Sequence, residues 1–243
     1  RGIGEGQGQG MAGGWQIHPC PRSLLVRYLY LILHHRSMRF LLAVILLATS
    51  AHADWYTIQG ERWSSAKTEP RHARAISLTV DRIVANSPRY KAVDAETCVP
   101  WYVIAALHNM ESGGSFRHHL HEGSPLSGRT RWVPKGRPKT GLPPFTWEES
   151  ARDALLYDKL NRVAWSKLND TLYACERYNG TGYLKYHKDT PSPYLWSGTS
   201  IYRRGKYVSD GKWSSTAVSK QIGVAAIFKE MENRKILNFS RLK

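Results

Sequence analysis

Residues 99–112 constrain the fold more than any other stretch of this 243-residue chain. Pro100 suits the first turn of a helix, the body Trp101-Tyr102-Val103-Ile104-Ala105-Ala106-Leu107-His108-Asn109-Met110 is apolar on most faces, and Gly113-Gly114 ends it. A helix apolar nearly all round belongs in the middle of a domain, with other elements packed about it. It ends on Glu111. A carboxylate there meets two unfavourable fields, desolvation by Met110 and Phe116 and the negative end of the helix dipole. Both raise its pKa, as a general acid working near neutral pH requires.

The rest of the chain supplies segments to surround that helix. Residues 71–86 space Ile76, Val80, Ile83 and Val84 helically until Asn86-Ser87-Pro88. Thr146-Trp147-Glu148-Glu149 reads as a capping box opening a long helix to about residue 166. Asp170 is expected to cap a shorter helix that stops at Tyr178-Asn179-Gly180, with Gly180 in the left-handed conformation. Residues 216–232 give an amphipathic C-terminal helix through Val218, Ile222, Ala225, Ala226 and Met231. Between these lie a Gly-, Pro-, Arg- and His-rich loop over 115–145 and an aromatic, irregular stretch over 181–213, with a hairpin expected around Arg204-Gly205-Lys206. The expected fold is mostly α, a single domain with long irregular loops and at most a short β-hairpin.

The beginning of the chain reads differently. From Met38, Arg39 supplies a positive n-region, Phe40 to Ala48 an apolar h-region, and Ala51-His52-Ala53 a small-residue cleavage site. Residues 38–53 are thus expected to be a signal peptide, residues 1–37 an upstream segment of doubtful meaning, and residues 54–243 the catalytic domain, secreted or periplasmic. Neither apolar run (24–33 or 40–48) approaches the roughly 20 residues of a spanning helix, so no stable membrane span is expected.

The whole chain carries +16, and because residues 1–53 hold five Arg and one Glu, residues 54–243 keep +12. Such a field concentrates polyanions, among them nucleic acid and cell wall. No nucleic-acid-binding motif accompanies it, and no nucleic-acid partner is expected. After Cys20, Cys98 and Cys175 remain, an even pair open to a disulfide or to two buried thiols. No paired His spacing suggests a metal, and the cluster His118, His119 and His121 reads as a solvated loop; no cofactor is expected.

Two segments together carry a resemblance. Glu111-Ser112-Gly113, followed by Phe116, resembles the catalytic segment of goose-type lysozymes and soluble lytic transglycosylases. Tyr178-Asn179-Gly180-Thr181-Gly182-Tyr183 resembles the Tyr-Asn segment that lines the cleft in that lysozyme-like superfamily. A bacterial and phage subgroup is similar over about residues 99–231, through Pro125-Leu126, Arg129-Thr130, Val133-Pro134, Gly136-Arg137-Pro138, Phe145 to Glu148, and Tyr178 to Ser197. Where that subgroup carries an Asp after the loop glycine, this chain has Ser124. The resemblance implies a peptidoglycan-cleaving enzyme acting between N-acetylmuramic acid and N-acetylglucosamine, with Glu111 as acid; a monomer is expected. Ser112 would position the acid or touch an N-acetyl group, Tyr178 and Asn179 would line the cleft, and Tyr194 and Trp196 would stack on sugars or pack in the core. Glu122, Glu148, Asp153 and Asp189 are the acids available for activating water; a transglycosylase needs none of them. The rival is a non-catalytic peptidoglycan-binding protein on the same scaffold.

Overall fold

A computed structural model describes Trp55 and residues 57–239 of the chain. The expected signal peptide, the upstream segment and Cys20 lie outside the described residues. The protein is mostly helical, about 52% helix, with one two-stranded antiparallel hairpin among the described residues. In chain order the helices are α1 (57–65), α2 (Ala73–Ala85), α3 (Ser87–Thr97), α4 (Trp101–Ser112), α5 (Trp147–Tyr157), α6 (Leu168–Asn179), the short α7 (Gly182–Tyr186) and α8 (Pro193–Trp196), and α9 (Val224–Asn233). The hairpin, β1 (Lys206–Ser209) with β2 (Lys212–Ser214), precedes α9.

Helix α4 is the axis. Residues 102–108 and Met110 are all buried, and α3, α6 and α9 pack around it. Its start is held from α3, where the Asp94 carboxylate accepts the Trp101 backbone N–H at 3.0 Å. Pro100 stands at the N-cap itself, and Gly113 ends the helix with φ +62°, its N–H turned back to Asn109 and His108 carbonyls. That left-handed stop costs glycine little.

Several elements depart from the sequence expectations, each for a local reason. Asn86 does end α2, but Ser87-Pro88 immediately begin α3, because proline is favoured in a first turn. Val84 is exposed, while Thr79 joins Ile76, Val80 and Ile83 on the buried face. The capping box forms, Thr146 Oγ1 accepting from Glu149 N at 3.2 Å and the Glu149 carboxylate accepting from Thr146 N at 2.8 Å. Helix α5 nevertheless stops at Tyr157, since Lys159 turns left-handed and a 3-10 turn follows over Leu160–Arg162. Asp170 sits in the first turn of α6, where its negative charge complements the positive end of the helix dipole, and Lys167 is the N-cap. Gly180 has φ +106° and ψ 163°, an extended glycine conformation and not the left-handed stop. The hairpin turns at Asp210-Gly211, a dipeptide suited to tight two-residue turns. Residues 216–223 are not helical: Gly223 is the N-cap of α9, and a Cβ there would lie 2.6 Å from the Leu195 carbonyl oxygen.

The 113–145 segment lacks regular helix or strand yet is densely tied to the core. His119 is fully buried, Nδ1 meeting Ser150 Oγ at 2.8 Å and Nε2 the Gly128 carbonyl at 2.8 Å. His121, also buried, meets Asp153 at 2.8 Å, and Arg137 clasps the same carboxylate at 2.6 and 2.7 Å. Two of the three histidines expected on a solvated loop are therefore structural links. Cys175 is a free thiol buried on the inner face of α6, so the Cys98–Cys175 disulfide is not made. No helix among the described residues is long and apolar enough to cross a membrane.

Candidate active site

Glu111 projects from the last turn of α4 and keeps part of its surface open. The Tyr194 hydroxyl, delivered by α8, donates to Glu111 Oε1 at 2.8 Å. Burial drives the Glu111 pKa up, from 4.5 to about 7; the Tyr194 hydrogen bond works against the rise, and the charges of Asp158 and Glu122 add to it. A carboxyl in this setting holds its proton near neutral pH while one oxygen is fixed in direction.

Two neighbours of Glu111 open onto a cleft of about 500 Å³. Tyr194 lines it, and so does Gln221, whose side-chain amide donates to the Met110 carbonyl at 3.3 Å. The hairpin also lines it, through Lys206, Tyr207 and Asp210, as do Asn179, Gly180 and Gly182. Tyr207 and Tyr183, which also lines the cleft, belong to an aromatic block in which His187 lies flat on Trp213, ring centroids 3.5 Å apart, with the two tyrosines against its edges. The sequence signal for this lining was the density of aromatics over 181–213, of which Tyr183, Tyr194 and Tyr207 reach the cleft, from α7, α8 and β1.

The structure sorts the sequence candidates. Asn179 is exposed on the cleft rim. Tyr178 does not line it: its hydroxyl, in the field of Glu111, donates to the Leu120 carbonyl at 2.9 Å, and with Asp158 and Arg177 it lines a separate hollow of about 300 Å³. Ser112 donates to the His108 carbonyl of its own helix at 3.2 Å. Trp196 is wholly buried, its indole N–H given to Gln59 at 2.8 Å, so it is a core residue and no sugar platform. Tyr194 is also buried, 6% exposed, and holds the acid with its hydroxyl in place of offering a ring face.

The other carboxylates divide as clearly. Burial works against ionisation of Asp153, but the hydrogen bonds from Arg137 and His121 outweigh it and keep its pKa low. Glu148 is gripped by Arg89 at 2.6 and 2.9 Å, with the same outcome. Asp189 is exposed. Glu122 belongs to the turn packed on the end of α4: Ser124 donates to its Oε1, and Gly123, at φ +80°, lies so near that a Cβ would sit 2.7 Å from the Glu111 carbonyl oxygen. Asp158, which the sequence did not single out, is raised by burial, with Arg177 and Arg137 opposing. Glu122 and Asp158 are thus the two acids in the field of Glu111.

A second glutamate with a raised pKa lies elsewhere. Glu176 on α6 is 1% exposed, and burial lifts its pKa to about 7 against the pull of Ser192 and Arg62. No well-formed hydrogen bond reaches either carboxyl oxygen among the described residues. Nor do those residues contain a cluster of three His, Cys, Asp or Glu side chains able to hold a metal ion. Comparison with protein-family models, curated proteins and solved structures finds no match to this chain.

Proposed function

We propose that the protein cleaves the glycan strand of peptidoglycan at the β-1,4 bond from N-acetylmuramic acid to N-acetylglucosamine, with Glu111 as general acid. The observation that carries this reading is Glu111 itself. It is proton-holding near neutral pH, fixed by Tyr194, partly open, and set beside a cleft walled by tyrosines and an exposed Asn179. The resemblance of Glu111-Ser112-Gly113 and Tyr178-Asn179 to the lysozyme-like superfamily supplies the substrate class.

In this reading Glu111 gives its proton to the glycosidic oxygen as the bond breaks, and charge builds on the ring carbon as an oxocarbenium-like centre. Asn179, on the rim, offers an amide to a sugar hydroxyl or N-acetyl group. Ionised Glu111 then takes a proton back. If it comes from the sugar's own O6, a 1,6-anhydro ring closes; where water attacks with inversion instead, a second carboxylate takes the water proton and a reducing end forms. The second course with inversion requires a carboxylate about 6.5–9.5 Å from the acid, and Glu122 and Asp158 are the acids that act on Glu111 electrostatically. The charge of +12 over residues 54–243 draws such a protein to an anionic wall.

The test is mass spectrometry of fragments released from purified peptidoglycan, with Glu111→Gln alongside. Anhydro-muramic ends identify a transglycosylase and reducing ends a hydrolase. Wall binding by both proteins without cleavage by either would replace the enzyme with a peptidoglycan-binding module.

A further inference from the structure

The segment from Gly123 to Trp147 contains no Asp or Glu and five basic residues. Its tip is built to stay where it is. Thr130 N–H donates to the Arg137 carbonyl at 2.8 Å, Gly136 N–H to the Thr130 carbonyl at 2.9 Å, and Arg137 N–H to Thr130 Oγ1 at 2.8 Å. Arg129 donates to the Gly141 carbonyl at 2.9 Å, and the buried Phe145 anchors the far end. Two of the five cations are used internally, Arg129 in that bond and Arg137 on Asp153. Arg131, Lys135 and Lys139 are exposed.

On this braced frame stand three large apolar side chains, Trp132 at 69% exposure, Val133 at 88% and Leu142 at 83%. Scattered exposed apolar residues need no explanation, but Val133 and Leu142 are the two most exposed large hydrophobics of the described residues, and with Trp132 they fall within one basic loop. A flexible loop would fold such side chains back; the bonds around Thr130 prevent it.

We infer that this loop docks the protein on an anionic phospholipid surface, Trp132, Val133 and Leu142 entering the headgroup region and Arg131, Lys135 and Lys139 meeting lipid phosphates. A polyanion in water would answer the cations but leave Val133 and Leu142 uncovered. A sugar would take the face of Trp132 but has no use for two aliphatic tips. An anionic bilayer interface satisfies both at once: it covers apolar area, favours an indole at headgroup depth, and is worth roughly fivefold in affinity for each basic side chain near it. The contact is peripheral, and it does not depend on the activity proposed for Glu111.

Flotation of the full chain with vesicles of equimolar phosphatidylcholine and phosphatidylglycerol measures it, alongside Trp132→Ser/Val133→Ser/Leu142→Ser. The expected result is a loss of partitioning of about tenfold in the variant at unchanged thermal melting, with binding by the parent weakening in high salt. Acyl-brominated lipids provide a second readout: they should quench part of the tryptophan emission of the parent, and that part should vanish in Trp132→Phe. Equal quenching in both, or equal flotation of parent and triple variant, overturns the inference and places any lipid contact elsewhere in the chain. Loss of binding to purified sacculi with flotation unchanged also overturns it and assigns the loop to the wall.

Discussion

Glu111 and Glu176 share a chemistry and differ in everything around it. Both are glutamates on helices, both are pushed by burial to a pKa of about 7, and both therefore hold protons under conditions where most carboxyls do not. Glu111 has a donor, Tyr194, fixing one oxygen, keeps part of its surface open, and stands beside a cleft that Tyr194 itself lines. Glu176 is sealed at 1% exposure with no well-formed hydrogen bond among the described residues. A raised pKa alone does not make an acid useful; direction and access do. In Glu176 the same desolvation is simply a cost to stability.

The largest expected effect breaks the pair apart. Glu111→Gln should lower glycan cleavage by about 10²–10⁴-fold, the range for loss of a general acid, while Glu176→Gln leaves the rate near that of the parent. Comparable losses from both substitutions would mean that the sealed glutamate takes part in the chemistry, contrary to the comparison.

Stability should reverse the ranking. The folded-state pKa of Glu176 lies above its ordinary value of 4.5, so the unfolded chain releases this proton first as pH rises. Stability falls between about pH 4.5 and 7, and the full penalty is present above pH 7. Glu176→Gln removes the ionisation and should stabilise the protein by about 1–2 kcal/mol at pH 8, with little gain at pH 4. Chemical denaturation at the two pH values checks it, and a gain that is equal at both would show that the charge is not the cause.

Tyr194→Phe sharpens the comparison by making Glu111 more like Glu176. Loss of the directing hydroxyl should reduce the rate by about tenfold. The hydrogen bond also favours the ionised carboxylate, so its removal raises the Glu111 pKa. The alkaline limb of the rate profile, expected near pH 7 in the parent, should then move upward. A downward shift would contradict the assigned direction of the bond. The smallest effect is expected from Ser112→Ala, whose hydroxyl serves only its own helix: the rate should change by less than about twofold.

How much of this could be read from the chain depends on the range of the interaction. The axis helix and its end at Gly113 were legible, because apolar content and a glycine stop are local signals. So was the capping box at Thr146 and Glu149. Glu111 was legible as a carboxylate in a poor place for charge. The partner Tyr194, 83 residues away, was named for the wrong task, because only packing decides whether a tyrosine presents its ring or its hydroxyl. Trp196 failed as a platform for the same reason, lying in the core against Gln59. His119 and His121 looked solvated since their partners, Ser150 and Asp153, come from α5. Asp158 drew no notice because its closeness to Glu111 exists only after folding.

The turn at Gly123 has a consequence for anyone sampling variants of this protein. A side chain at that position would both demand an unfavourable backbone conformation and press on the carbonyl of the residue that bears the acid. In a saturation library selected for activity, position 123 should return glycine almost alone, although it is neither charged nor aromatic and touches no substrate. The neighbouring Ser124 should tolerate more, so the tolerance profile across this turn would locate the acid without any knowledge of the chemistry.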